Sequence, residues 1–303
     1  MKTLVSPSVG KERWSRLGAH LQSPFYVISI GSLVAVNFAL SKHVVSGGAS
    51  PIDAAILPMV GAALLLVGKL LFSGQLNRIV FKHYRYYFWA GLLGVALPNL
   101  ASTYALQYLT ASTFSVLVTL SPIFTLIFNR PFQGEPLNGS KVLGILMGVG
   151  AALLVTLSPE LDISFPLFSL IIALLVPICL AAGNVYRSQA YPSGANPEVL
   201  AAGMLTLQSV IWLPLSIQAG GTLTVDALTI FIGMASLSAL SYLLTFRFQK
   251  MTDGVGFSQV GNVVTVVGVS IGVAWYGDPV TGQLMGAVFL LLVSLYLFNR
   301  RHS

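Results

Sequence analysis

Apolar residues come in windows of about 20, each closed by a short polar or Pro/Gly break. The windows fall near 24–43, 51–73, 86–108, 112–130, 139–157, 164–187, 197–218, 226–248, 256–275 and 281–298. Each can cross a bilayer as a helix, and no connection is long enough to hold a soluble domain. The pattern predicts an all-α polytopic membrane protein with ten transmembrane helices. Function must then reside among the helices or in their short loops.

Two of these stretches share a layout. Thr110 to Leu137 and Thr252 to Val280 pair Phe114-Ser115 with Phe257-Ser258, and Gly134-Glu135-Pro136 with Gly277-Asp278-Pro279, all at an offset of 143. Further matches are Gln107 with Gln249, Thr110 with Thr252, Asn37 with Asn184 and Gly139 with Gly282. The chain reads as one unit written twice, 24–157 and 164–298. Five spans per unit is an odd number, so the second unit enters the membrane from the opposite side, and the pair forms two inverted-topology five-helix repeats.

Composition agrees with the pattern. Of 303 residues, 55% are hydrophobic and only 8% charged, against roughly 25% charged in soluble domains, and the mean hydropathy is +0.82. The net charge of +7 therefore does not point to nucleic acid; where the cations lie matters more. Lys2, Lys11, Arg13, Arg16, Arg78, Lys82, Arg85, Arg130, Lys141, Arg187, Arg247, Lys250, Arg300 and Arg301 all fall on one side of the ten-span alternation. The positive-inside rule makes that side cytoplasmic, with both termini inside. The opposite loops carry Glu160, Asp162, Asp226 and Asp278. The first apolar run is too long for a signal-peptide core and lacks a small-residue cleavage site, so it is read as a span. Residues 1–23 form a cytoplasmic segment, either an interfacial helix with Trp14, Leu17 and Leu21 on one face or a basic tail. Residues 299–303 are a cytoplasmic tail.

Polar side chains at membrane depth carry the remaining chemistry, since an unpartnered amide or hydroxyl in hydrocarbon costs several kcal/mol. The candidate substrate-binding residues are Asn37, Asn99, Thr103, Ser115, Thr119, Asn184, Tyr186, Tyr242, Ser258, Gln259 and Asn262. Asn99, Thr103 and Gln107 share one helical face; Ser238, Ser241, Thr245 and Gln249 make a second stripe; Ser258, Asn262 and Thr265 make a third. Ser115 and Thr119 are expected to face Ser258 and Asn262 across one cavity. The alternative for each hydroxyl is an interhelical hydrogen bond worth around 1 kcal/mol. Tyr104, Tyr186 and Tyr242 either stack on a substrate ring or fill a core. No carboxylate falls at mid-membrane: Asp53, Glu198 and Asp226 sit at span ends. Lys69 reads as a snorkelling side chain. Lys42, near the outer end of the span that holds Asn37, either holds an anionic substrate group, titrates in coupling, or snorkels outward. Prolines 98, 122, 177 and 214 lie inside spans and can free a carbonyl. The pairs Gly144/Gly148 and Gly268/Gly272 predict close helix contact, within the chain or between subunits of a homodimer. Four scattered histidines and a lone Cys179 make no metal constellation, and no cofactor motif or nucleophile elbow occurs, which argues against an enzyme.

These residues resemble the drug/metabolite transporter superfamily, specifically its EamA-type proteins with two five-helix repeats. The resemblance rests on Ser50-Pro51 followed by AAILPMVGAALLL, on LTASTFSVLVTLSPIFT, and on GEPL followed by Gly144 and Gly148. The family's second span often carries an Arg about seven residues after its Ser-Pro, where this chain has Pro58. The resemblance implies an alternating-access exporter of small polar metabolites, such as amino acids, in a bacterial inner membrane. Its partners are then a small-molecule substrate and the lipid bilayer, with no cofactor. A channel with the same spans should show a ring of like residues at one depth. A sensor or lipid-modifying protein should show an extra domain or a reactive cluster.

Overall fold

The computed structural model describes residues 7–75, 83–133, 139–156, 167–219 and 225–299. Gly134-Glu135-Pro136, the loop charges Arg78, Lys82, Glu160 and Asp162, and the C-terminal Arg300 and Arg301 lie outside the described residues, as do the side chains of residues 7–23. The described chain is helical. In order it forms α1 (Pro7–Ser46), α2 (Pro51–Phe72), α3 (Tyr84–Gly91), a π turn (Leu92–Ala96) leading into α4 (Leu97–Ala105), α5 (Ala111–Val118) and α6 (Ser121–Gln133). It continues as α7 (Gly139–Thr156), α8 (Leu167–Gln189), α9 (Pro197–Ala219), α10 (Val225–Gln249), α11 (Gly254–Ser258), α12 (Val260–Tyr276) and α13 (Gly282–Asn299).

Among the described residues, seven helical segments are long and apolar enough to cross a membrane: 24–46, 51–72, 111–132, 168–189, 197–219, 226–249 and 254–276. The other three expected spans are helical too, but α7 and α13 are 18 residues each. At 1.5 Å per residue that is about 27 Å, just short of a ~30 Å hydrocarbon core. The segment 86–108 is broken by the π turn.

Local chemistry accounts for the boundaries. Pro51 and Pro197 occupy first helical turns, where their missing N–H costs nothing. The Asn196 side chain accepts the Glu198 N–H at 2.9 Å, Thr110 caps α5 through the Thr113 N–H, and Asp253 caps α11 through the Gly256 N–H. Gly277 ends α12 with φ 65°, in the left-handed region that glycine tolerates. The π turn sits where Pro98 removes the N–H that the Gly94 carbonyl would accept in a regular helix; the Leu97 N–H instead bonds the Leu92 carbonyl, one residue further back.

The helices pack as a bundle in which α2 lies on α9 and α10, α1 on α10 and α12, α8 on α4 and α6, α3 on α9, α5 on α12, and α7 on α13. One apolar core gathers Ile56, Leu70, Tyr86, Leu200, Met204 and Phe246; another gathers Ile30, Leu106, Phe114, Leu117, Phe257 and Val264. Gly148 packs on Ile123, and Ser294 of α13 donates to the Gly144 carbonyl at 2.6 Å. Gly268 and Gly272 take the hydroxyls of Ser115 and Ser112. Both glycine pairs thus make contacts inside the chain. Outward faces carry large apolar side chains, with Phe72 93% and Trp275 79% exposed, as a lipid-facing surface requires.

Lys69 reaches Glu198 at 2.7 Å, and Arg247 reaches the same carboxylate at 2.5 Å. This network joins the C-terminal ends of α2 and α10 to the N-terminus of α9. Both cations are nearly half exposed, so each pair is worth no more than about 1 kcal/mol. Glu198→Gln is accordingly expected to lower Tm by only a few degrees in detergent, with the difference shrinking as ionic strength rises. A large, salt-independent loss would show that the network is shielded from solvent.

Candidate functional site

An internal cavity of about 130 Å³ lies where α1, α2, α4, α8, α10 and the α11–α12 break converge. Its wall alternates apolar surface from Ile30, Val34, Phe38, Pro58 and Met234 with amides and hydroxyls at discrete points. Six of the candidate residues line it: Asn37, Asn99, Thr103, Asn184, Tyr242 and Ser258.

On α1, the Asn37 amide nitrogen donates to the Leu33 carbonyl at 3.1 Å, and its oxygen accepts from Ser238 of α10 at 3.4 Å. On α4, Asn99 and Thr103 sit four residues apart on the cavity face. Thr103 donates to the Asn99 carbonyl at 3.0 Å, and Tyr242 of α10 lines the same cavity. Ser258 donates locally to the Val255 carbonyl at 2.6 Å. The α10 stripe contributes Ser238, Ser241 and Thr245 to the wall as well.

The other candidates lie elsewhere. Ser115 donates to the Ala111 carbonyl at 2.8 Å, and Thr265 of α12 donates to the Ser115 carbonyl at 2.9 Å. Thr119 hydrogen-bonds Thr265 directly. Ser115 and Thr119 therefore sit in a buried α5–α12 contact. Gln259 forms the break between α11 and α12, and Asn262 donates to its side-chain oxygen at 2.8 Å. Neither lines the cavity. The break shifts the helical phase, so Ser258, Asn262 and Thr265 do not share one face. Tyr186 stacks on Tyr86 at 6.1 Å and donates to the Arg85 carbonyl at 3.4 Å, near the bundle end. Tyr104 packs on Tyr108 and Phe168. Lys42 donates to the Leu106 carbonyl at 2.7 Å, where α4 ends and its dipole is negative. Beside it the Ser112 N–H donates to Asp278 at 2.8 Å, and Tyr276 donates to the Ala39 carbonyl at 2.7 Å. These bonds tie α1, α4, α5 and α12 together at one end.

From the sequence Arg187 stands with Asn184 and Tyr186 among the polar residues of its span and also among the cytoplasmic-side cations, but outside the candidate set; α8 continues to Gln189, and the Arg187 side chain turns into the bundle, 3% exposed and on the cavity wall. Its Nη2 donates to the Asn184 side-chain oxygen at 2.8 Å. The signal was present: Asn184 and Arg187 are three residues apart, on one helical face. Among the described residues no group of three or more His, Cys, Asp or Glu gathers to hold a metal.

Comparison with known proteins places this architecture. Residues 23–157 match the EamA-like transporter family. An uncharacterized transporter of Archaeoglobus fulgidus is 26% identical over 254 residues, covering 82% of this chain and 86% of that protein. The uncharacterized transporter YvbV of Bacillus subtilis is 22% identical over 273 residues, covering 88% of each. A solved structure, described only as a crystal structure of a protein, superposes with a TM-score of 0.68 at 16% identity, covering 93% of this chain and 97% of that one; it shares the fold. With membrane-crossing helices around a polar-lined cavity, a segment over residues 23–157 that matches the EamA-like transporter family, and relatives named as transporters along most of its length, the chain is a multi-pass membrane transporter similar to EamA-like transporters.

Proposed function

We propose that the chain is an alternating-access carrier of small polar organic metabolites, amino acids and comparable compounds, working as an exporter in a bacterial inner membrane with both termini cytoplasmic. The observation that carries this reading is the cavity, lined by side chains from both halves of the chain at their meeting surface. Its size and mixed wall suit a small solute held by a few directional contacts. Export is the direction the family resemblance implies.

The ten-helix, two-repeat arrangement, 24–157 and 164–298, has its own support. Exchanging the halves maps the packing onto itself: α1 lies against α10 and α12, as α8 lies against α4 and α6, while α2 pairs with α9 and α7 with α13. Thr110 and Asp253, at the offset of 143, both cap the helix that precedes a break, one at Thr119–Leu120 and one at Gln259. The cytoplasmic assignment of one face is supported by Lys69, Glu198 and Arg247 meeting at a single end.

Purified protein in liposomes, supplied with a panel of amino acids, nucleobases and organic acids, is expected to give saturable uptake that unlabelled solute inside accelerates. Flux that rises linearly with concentration and ignores the inside solute would replace the carrier with a channel. Repeating the assay with and without a pH gradient separates proton coupling from exchange.

A further inference from the structure

The surroundings of Arg187 place a fixed positive charge on the cavity wall. Its guanidinium lies in a notch left by Gly94 on the π turn, where a Cβ would come within 2.2 Å of Nη1. The guanidinium carbon sits 5.8 Å from the centre of the Phe257 ring. Nη2 is held by Asn184, and among the described residues Nε has no hydrogen-bond partner. The Tyr86 hydroxyl donates to the Arg187 carbonyl at 3.4 Å, anchoring the backbone.

Among the described residues no carboxylate pairs with this cation. Asp53 accepts from Ser216, Glu198 is shared by Lys69 and Arg247, Asp253 caps α11, and Asp278 caps α5. Asp226 is exposed in the first turn of α10. Arginine keeps its proton in proteins. An unpaired charge in a low-dielectric interior is costly, and one buried in a membrane bundle ordinarily faces a partner or a ligand. Here no described residue supplies the counter-charge, and the guanidinium lies on the wall of a cavity.

We propose that the solute held in this cavity carries a carboxylate, which Arg187 binds. Asn184 orients the fork, Gly94 gives it room, and Asn99 and Tyr242 on the cavity wall present neutral polar groups to the rest of the solute. Arginine suits this role because its planar donors match a carboxylate two to two. The inference rests on the transport reading and narrows its substrate class to organic anions and zwitterions, leaving out neutral and purely cationic compounds.

The test uses carboxylates and their carboxamides as matched probes: amino acids against amino-acid amides, and benzoate against benzamide. Thermal stabilisation of the detergent-purified protein reads binding, and flux into liposomes reads transport. At least one carboxylate is expected to stabilise the wild type while its amide does not. Arg187→Gln should weaken that binding by at least about tenfold, and Arg187→Lys should restore part of it by keeping the charge. Gly94→Ala, which pushes the guanidinium from its notch, should weaken it while leaving overall folding intact; with Arg187→Lys it keeps the test decisive if Arg187→Gln does not fold. Equal stabilisation by acid and amide, an unchanged response in the variants, or binding confined to neutral or cationic compounds would each overturn the proposal. Carboxylate binding lost in Arg187→Gln, with no flux of any solute, would sustain the anion site and sink the transport reading. Saturable flux of neutral solutes that ignores Arg187 would do the reverse, and absence of both binding and flux would remove both.

Discussion

Gly183→Val is expected to yield protein that aggregates on extraction or melts far below the wild type. A Cβ at position 183 would lie 2.7 Å from the Gly94 Cα and 2.8 Å from its nitrogen. Both are backbone atoms, so no rotamer change relieves the clash, and α8 or the π turn must move. The cost should match or exceed the ~3 kcal/mol upper end of ordinary overpacking. Because the same contact seats Arg187 against Gly94, any protein that still folds should also lose carboxylate binding. Gly68→Ala and Gly233→Ala are the controls: among the described residues nothing lies within 4 Å of a Cβ at either site. Each should be neutral or stabilising by up to about 1 kcal/mol, since alanine favours a helix interior over glycine. Wild-type Tm in Gly183→Val, measured beside these controls, would show that α8 and the π turn do not approach so closely.

Ser241→Trp is expected to stop transport while the protein still folds. Ser241 is buried on the cavity wall, on a continuous stretch of α10. An indole ring there occupies space that is already empty, so the packing cost is small. The ring would take up part of the space and of the wall that a solute needs, and the initial rate in liposomes should fall by at least about tenfold. Ser236→Trp on the same helix is the comparison, because Ser236 is exposed on the outer face and its replacement should leave flux unchanged. Full flux in Ser241→Trp would route the solute elsewhere.

The polar lining was legible in the sequence wherever a helix runs unbroken. Asn99 and Thr103 on α4, and Ser238, Ser241 and Thr245 on α10, keep the regular spacing and reach the cavity together. Helical counting failed at Gln259, because the break there turns Thr265 toward Ser115 and Thr119 while Ser258 stays on the cavity wall. Ser115 and Thr119, expected to face Ser258 and Asn262 across a cavity, instead meet Thr265 of α12. Lys42 illustrates a related limit. Its position near a helix end was readable, whereas the Leu106 carbonyl that holds it lies 64 residues away in the chain.

From sequence alone, apolar windows and sparse charge determined a helical membrane protein, because hydrocarbon admits only segments that satisfy their own backbone hydrogen bonds. The Phe-Ser and Gly-acid-Pro echoes pointed to two related halves for the same local reason: each recurs at the same place in its own span. The tertiary structure alone decided which polar groups face the cavity and which face a neighbouring helix. Above all it decided that Arg187 turns inward. A charge at a span's end can snorkel outward or fold back, and the choice depends on whether space and partners await it inside. Here Asn184 waits one turn away on the same helix, while the space comes from Gly94 and exists only once α8 has packed against the π turn.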